Sequence, residues 1–200
     1  KQGAYVLFDH QKDEVLVEVL KDRNVKSGIV FTSRKRTVAQ ITRTLKKAGI
    51  RCERISSDAE QSERESVMLG FRQKKFPILV ATDVVSRGID IDSIELVVNY
   101  DVPPNEEDYV HRIGRTARAD KDGEGVTLIN PDDQFRFGKI EKLIEKEVPK
   151  LEIPERLGKG PEYNPKNRGG GGRHGGRSGH SGGRGGRQPF RGGKSQGGES

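Results

Sequence analysis

Four short apolar runs, GIVFT (28–32), PILVAT (77–82), IELVVNY (94–100) and GVTLI (125–129), punctuate this chain, and longer stretches with apolar residues at helical spacing lie between them. PILVAT and IELVVNY are apolar on both faces, as befits parallel strands covered by helices on each side. Such alternation confines the chain to an α/β domain with a mainly parallel sheet and right-handed crossovers. The spacing predicts further strands at 4–8 and 50–56, the second with alternating exposure. It predicts helices at 11–23, 34–48, 60–75, 105–115 and 131–148, with Val38, Ile41, Leu45 and Ala48 facing inward on the second and Gly49 stopping it. Pro131 suits a first helical turn. Asp133, Glu141 and Glu145 with their lysine neighbours read as a solvated helix face.

Composition divides the chain in two. Of its 26 glycines, 15 fall in residues 168–200, where six Arg and one Lys against one Glu carry +6 of the chain's net +7. A nearly neutral body is thus followed by a cationic, glycine-rich tail that cannot bury enough apolar surface to fold. The expected organisation is a folded domain over 1–148, a linker over 149–167 marked by Pro154, Pro161 and Pro165, and a disordered Arg/Gly-rich tail over 168–200. Cys52 is the only cysteine, which excludes an internal disulfide and a multi-cysteine metal site. No apolar run is long enough to span a bilayer. The first residues resemble neither a signal peptide nor a natural start, so the reading is a cytoplasmic protein shortened at its front.

Four polar clusters follow the predicted strands or open the next helices: Thr32-Ser33-Arg34; Gln61 to Arg64; Thr82-Asp83 to Arg87-Gly88 and Asp90; and His111-Arg112 to Arg115 and Arg118. Open α/β sheets bind ligands at the carboxyl ends of their strands, so all four are expected on one rim. Arginines beside helix N-termini suit phosphate or carboxylate ligands. Arg115 and Arg118 are spaced to share one helical face.

ILVATDVVSRGIDI resembles motif V of the DEAD-box RNA helicases and YVHRIGRTAR resembles their motif VI. GIVFTSR is similar to motif IV, and EQSERESVMLGFR carries the QxxR signature that lies between them. Their order matches the family's second RecA-like domain over roughly residues 3–148, and the Arg-rich tail is similar to that of the bacterial RhlE-like branch. The resemblance implies a RecA-like three-layer domain, with Arg115 and Arg118 as arginine fingers on ATP held by the other half, and His111 joining the catalytic group. It implies that Asp90 contacts the ribose, with Arg112 and Gly88 among the nucleotide contacts, and that Gln61, Arg64, Thr82, Thr32, Ser33 and Arg87 lie along the RNA backbone. Arg168, Arg184 and Arg191 in the tail would add RNA contacts without reading sequence. Two departures stand out: Ser56-Ser57 where many relatives have His-Gly, and Ala117 where Gly is frequent.

No GxxxxGK[ST] phosphate loop and no Asp-Glu-Ala-Asp box occurs, and Gly193-Lys194-Ser195 lacks both the preceding strand and the first glycine. ATP and Mg²⁺ would therefore be held mainly by an N-terminal RecA-like domain outside this sequence, with RNA as the other partner, and the chain alone is expected to be inactive. A non-enzymatic RNA-binding or annealing module and a helicase acting on DNA are the rival readings.

Overall fold

The structure, a computed structural model, describes residues 1–82, 94–116 and 123–166. Six strands, β1 (Gln2–Val6), β2 (Gly28–Thr32), β3 (Cys52–Ile55), β4 (Ile78–Thr82), β5 (Leu96–Asn99) and β6 (Glu124–Ile129), form one sheet in the order β1-β6-β5-β2-β4-β3. Every neighbouring pair is parallel. The described helices are α1 (Lys12–Asp22), α2 (Lys35–Lys47), α3 (Gln61–Arg72), α4 (Glu106–Ile113) and α5 (Gln134–Leu143).

Side chains alternate across the sheet, so each strand feeds two cores. On one face Val30, Ile78, Val80, Val98 and Val126 pack under Leu16 and Val19 of α1 and Val38, Ile41 and Leu45 of α2. On the other, Ile29, Phe31, Leu79 and Val97 pack against Phe71 of α3, and Ala4, Val6 and Ile129 against Tyr109 of α4 and Phe137 and Ile140 of α5. The result is the α/β domain with a parallel sheet that the strand–helix alternation predicts, in the three-layer arrangement that the family resemblance implies.

Three local features depart from the sequence pattern. The edge strand β3 buries only Cys52 and Ile55, one on each face, and leaves Glu53 and Arg54 exposed, so its burial does not alternate. The last helix ends at Leu143, five residues short of the expected end, because Glu145 takes a left-handed conformation (φ 51°). Pro131 starts a 3₁₀ turn, Pro131–Asp133, which the Asn130 side chain caps by accepting from the Asp133 N–H at 2.9 Å. Gly49, by contrast, ends α2 with φ 78°, as its place in the sequence predicts.

Residues 149–166, expected as a linker, form a strap on the body. The Ala4 N–H donates to Pro149 O (2.9 Å) and the Leu151 N–H to Ala4 O (2.7 Å), covering the outer edge of β1. Ile153 and Leu157 then pack on the α1 side of the sheet and Tyr163 on the α5 side, so the strap crosses the sheet edge. Gln134 secures its far end, donating to Glu162 O (2.9 Å) and accepting from the Asn164 N–H (2.7 Å). Glu141 is not part of a solvated face: its carboxylate accepts from Val148 N (2.9 Å), Lys150 Nζ (2.6 Å) and Tyr163 Oη (2.6 Å).

Candidate functional site

Strands β2 and β4 pair in register through Thr32 and Thr82, so two threonines stand side by side at the carboxyl rim. Thr82 is buried, and among the described residues its hydroxyl has no hydrogen-bond partner. Beyond β3, the loop 56–60 leads into α3, whose first turn carries exposed Gln61, bonded to Glu65 at 3.0 Å, and half-buried Arg64. Arg64 donates from Nη2 to Ser57 O (2.6 Å), while its buried Nε finds no partner among the described residues. The carbonyl that aims Arg64 is main chain and does not depend on the Ser56-Ser57 departure, whereas the Ser56 hydroxyl closes the loop on Asp58 at 2.5 Å. Buried polar atoms are nearly always satisfied, so the Thr82 hydroxyl and the Arg64 Nε are two exceptions among the described residues.

The chain leaves β2 toward one face, through α2, and leaves β5 toward the other, through α4. The crevice between those two loops is the sheet's topological switch point. It is a polar cavity of about 570 Å³ whose lining includes Lys12, Ser33, Arg34, Asp101, Asp133 and Arg136. Asp101 fills its floor: Oδ2 accepts from Thr32 Oγ1 (2.6 Å) and the Ser33 N–H (3.1 Å), and Oδ1 accepts from Lys12 Nζ (3.1 Å). Burial works against the charge on Asp101 but is outweighed by Lys12, the Thr32 hydroxyl and the Ser33 N–H, so its carboxyl lies below the usual range. Lys12 is itself buried, with its ammonium 5.0 Å from the Tyr100 ring centre. Asp133, read from sequence as solvated, has a side chain only 13% exposed and pairs with Arg136 at 2.7 Å; burial raises its carboxyl.

The described residues of the fourth cluster divide: His111 and Arg115 run away from this rim, while the Arg112 side chain reaches back to it. Helix α4 starts near the carboxyl end of β5 and runs back along the sheet, so Ile113 abuts Gly125 and Thr116 abuts Gly123, at the amino end of β6. His111 is exposed and Arg115 half-buried along that path. Arg112, expected among the nucleotide contacts, has no exposed surface at all. Its Nη1 donates to Asn99 Oδ1 at 2.9 Å and approaches Asp101 O at 3.5 Å, and its guanidinium lies 5.0 Å from the Phe31 ring centre. Burial pushes this guanidinium down to about 9. Arg112 fastens α4 to β5 and β2. Asn99, Asp101 and Lys12 were missed by the sequence reading; a polar residue closing an apolar run, as in IELVVNYD, was the available signal.

Asp83, Arg87, Gly88, Asp90, Arg118, Arg168, Arg184 and Arg191 lie outside the described residues. Among the described residues no group of three His, Cys, Asp or Glu side chains is placed to hold a metal ion, and no helix is long and apolar enough to cross a membrane.

Residues 11–120 match the family model for the helicase conserved C-terminal domain. The chain is 36% identical over 153 residues to the DEAD-box ATP-dependent RNA helicase RhpA of Helicobacter pylori, covering 76% of this chain and 31% of that protein. It therefore spans about a third of the length of such curated relatives. Among solved structures, E. coli DEAD-box protein SrmB, crystallised with regulator of ribonuclease activity A, matches with a TM-score of 0.73 and 31% identity over 81% of this chain and 96% of that one. S. cerevisiae Dbp5 bound to RNA and ADP BeF3 matches with a TM-score of 0.69 and 28% identity over 76% of this chain and 41% of that one.

Proposed function

Because the chain belongs to the helicase conserved C-terminal domain family, as the second RecA-like half of a DEAD-box RNA helicase, we propose that it forms half of an RNA track and supplies arginine fingers for RNA-stimulated ATP hydrolysis and local duplex unwinding. One observation carries the RNA side: the unpartnered Thr82 hydroxyl and Arg64 Nε on the carboxyl rim beside exposed Ser33. Backbone phosphates are the acceptors proposed for these donors, and contacts of that kind position a strand without reading its sequence. Gln61, Thr32 and Arg87 extend this track, and Arg168, Arg184 and Arg191 add cations beyond it.

ATP does not fit the switch-point crevice of this chain. The Ser33 N–H and Thr32 hydroxyl that would cradle a phosphate are already held by Asp101, whose carboxylate repels one. ATP and Mg²⁺ are accordingly assigned to the N-terminal half. In this reading Arg115 and Arg118 act as the arginine fingers, Asp90 and Gly88 serve the nucleotide, and His111 joins the catalytic group. Arg112 holds that helix in place. His111 and Arg115, carried by α4 away from the carboxyl rim, leave the two surfaces separate, as an enzyme that couples two ligands requires.

The RNA track is tested by fluorescence anisotropy with labelled single-stranded RNA. Arg64→Ala should weaken binding roughly tenfold. Deleting 168–200 should weaken it further and make the salt slope shallower by up to about 5. Affinity unchanged by Arg64→Ala would refute the track. The non-enzymatic RNA-binding module is the second reading, favoured by the lack of a phosphate loop and the filled crevice.

A further inference from the structure

We propose that Asp101 is a positioning residue for RNA binding: with Lys12 as its buried counter-ion, it fixes the Thr32–Ser33 corner so that exposed Ser33 meets the RNA backbone. The inference rests on the RNA-track reading above and adds a determinant that touches no RNA. Three donors from three elements converge on one carboxylate: the Thr32 hydroxyl at the end of β2, the Ser33 main chain beyond it, and Lys12 at the first turn of α1. Thr32 and Lys12 are each at most 3% exposed, so the carboxylate is held from the inside, while Ser33 stays exposed at the surface that it shapes. A carboxylate in this place has a second effect. It occupies the backbone N–H that a free phosphate would seek at a switch point, so the crevice stays closed to phosphate and RNA is met only along the rim.

Asp101 also connects the two functional surfaces. Its main-chain carbonyl lies 3.5 Å from Arg112 Nη1, and that same guanidinium stacks on Phe31, the residue before Thr32. The path from α4 to the RNA corner therefore runs through one residue whose main chain faces one surface and whose side chain holds the other.

The test uses the full chain with Asp101→Asn, which keeps the shape and loses the charge, and with Lys12→Met, which removes the counter-ion and leaves the acceptor. Amide hydrogen exchange at Ser33 and RNA affinity are read together, with Arg64→Ala as the reference for track-dependent binding. For Asp101→Asn the expected result is exchange at Ser33 at least roughly tenfold faster, with Val30 and Phe31 still protected, and RNA affinity lowered about five- to tenfold. Lys12→Met should move both readouts in the same direction by less. Faster exchange at Ser33 with unchanged affinity would overturn the positioning role, as would unchanged exchange. If Arg64→Ala itself leaves affinity untouched, the RNA track fails and this proposal falls with it, an outcome distinct from the other two.

Discussion

Replacing Arg112 separates a stabilising role from a positioning one. Arg112→Ala removes a charge-assisted hydrogen bond to Asn99, worth about 2 kcal/mol, and a desolvated stack on Phe31 of similar size. It also leaves a cavity beneath α4 that costs roughly 3 kcal/mol. Taking a buried guanidinium out of the fold offsets this by several kcal/mol, about 4, so the net loss is about 3 kcal/mol. Arg112→Met loses the same two interactions, keeps most of the packing and gains the same relief, so its stability should stay within about 1 kcal/mol of the parent. The two variants should therefore diverge in urea denaturation. Both should nevertheless release α4, and amide exchange through Ile113–Thr116 should rise in the Met variant despite its near-native stability. Equal, large destabilisation by both substitutions, or an unaltered Ile113–Thr116 segment in the Met variant, would refute the view that this arginine sets the position of the helix.

The strap gives a second prediction. Ending the chain after Pro149 removes the apolar contacts of Ile153, Leu157 and Tyr163 and four partners of Glu141 and Gln134, together about 3–5 kcal/mol, and should lower Tm by roughly 10–20 °C. Deleting only 168–200 should leave Tm unchanged in calorimetry, and an equal drop in both truncations would contradict the packing described. Cys52 gives a third: it is 2% exposed and burial pushes its thiol up to about 11, so at pH 8 a disulfide reagent should label it only after urea unfolding. Prompt labelling of the native chain would contradict its place in the core.

The sheet was legible because its central strands are apolar runs that no surface element needs, and β2 was placed to the residue. The end of α5 was not, since Glu145 adopts a left-handed conformation without the glycine that usually signals one. The strap was illegible because its anchors, Ile153, Leu157 and Tyr163, follow neither the helical nor the strand period, and its prolines read as spacer. The candidate residues came largely from motif resemblance, which located Arg112 among the nucleotide contacts but gave no sign of its burial. An arginine is seldom fully buried, and nothing local announces Asn99 and Phe31 as its partners from distant strands. Spacing likewise placed His111 and Arg115 on the carboxyl rim, whereas the antiparallel run of α4 carries them away from it.

RNA-stimulated ATP hydrolysis tests the half-enzyme account most directly, measured on this chain alone and on the protein that joins it to its N-terminal half, with and without Arg115→Ala. The account predicts no turnover by the chain alone, RNA-dependent turnover by the joined protein, and a loss of about 10³-fold or more in the Arg115→Ala variant. Turnover by the isolated chain, or a joined protein indifferent to Arg115, would contradict it.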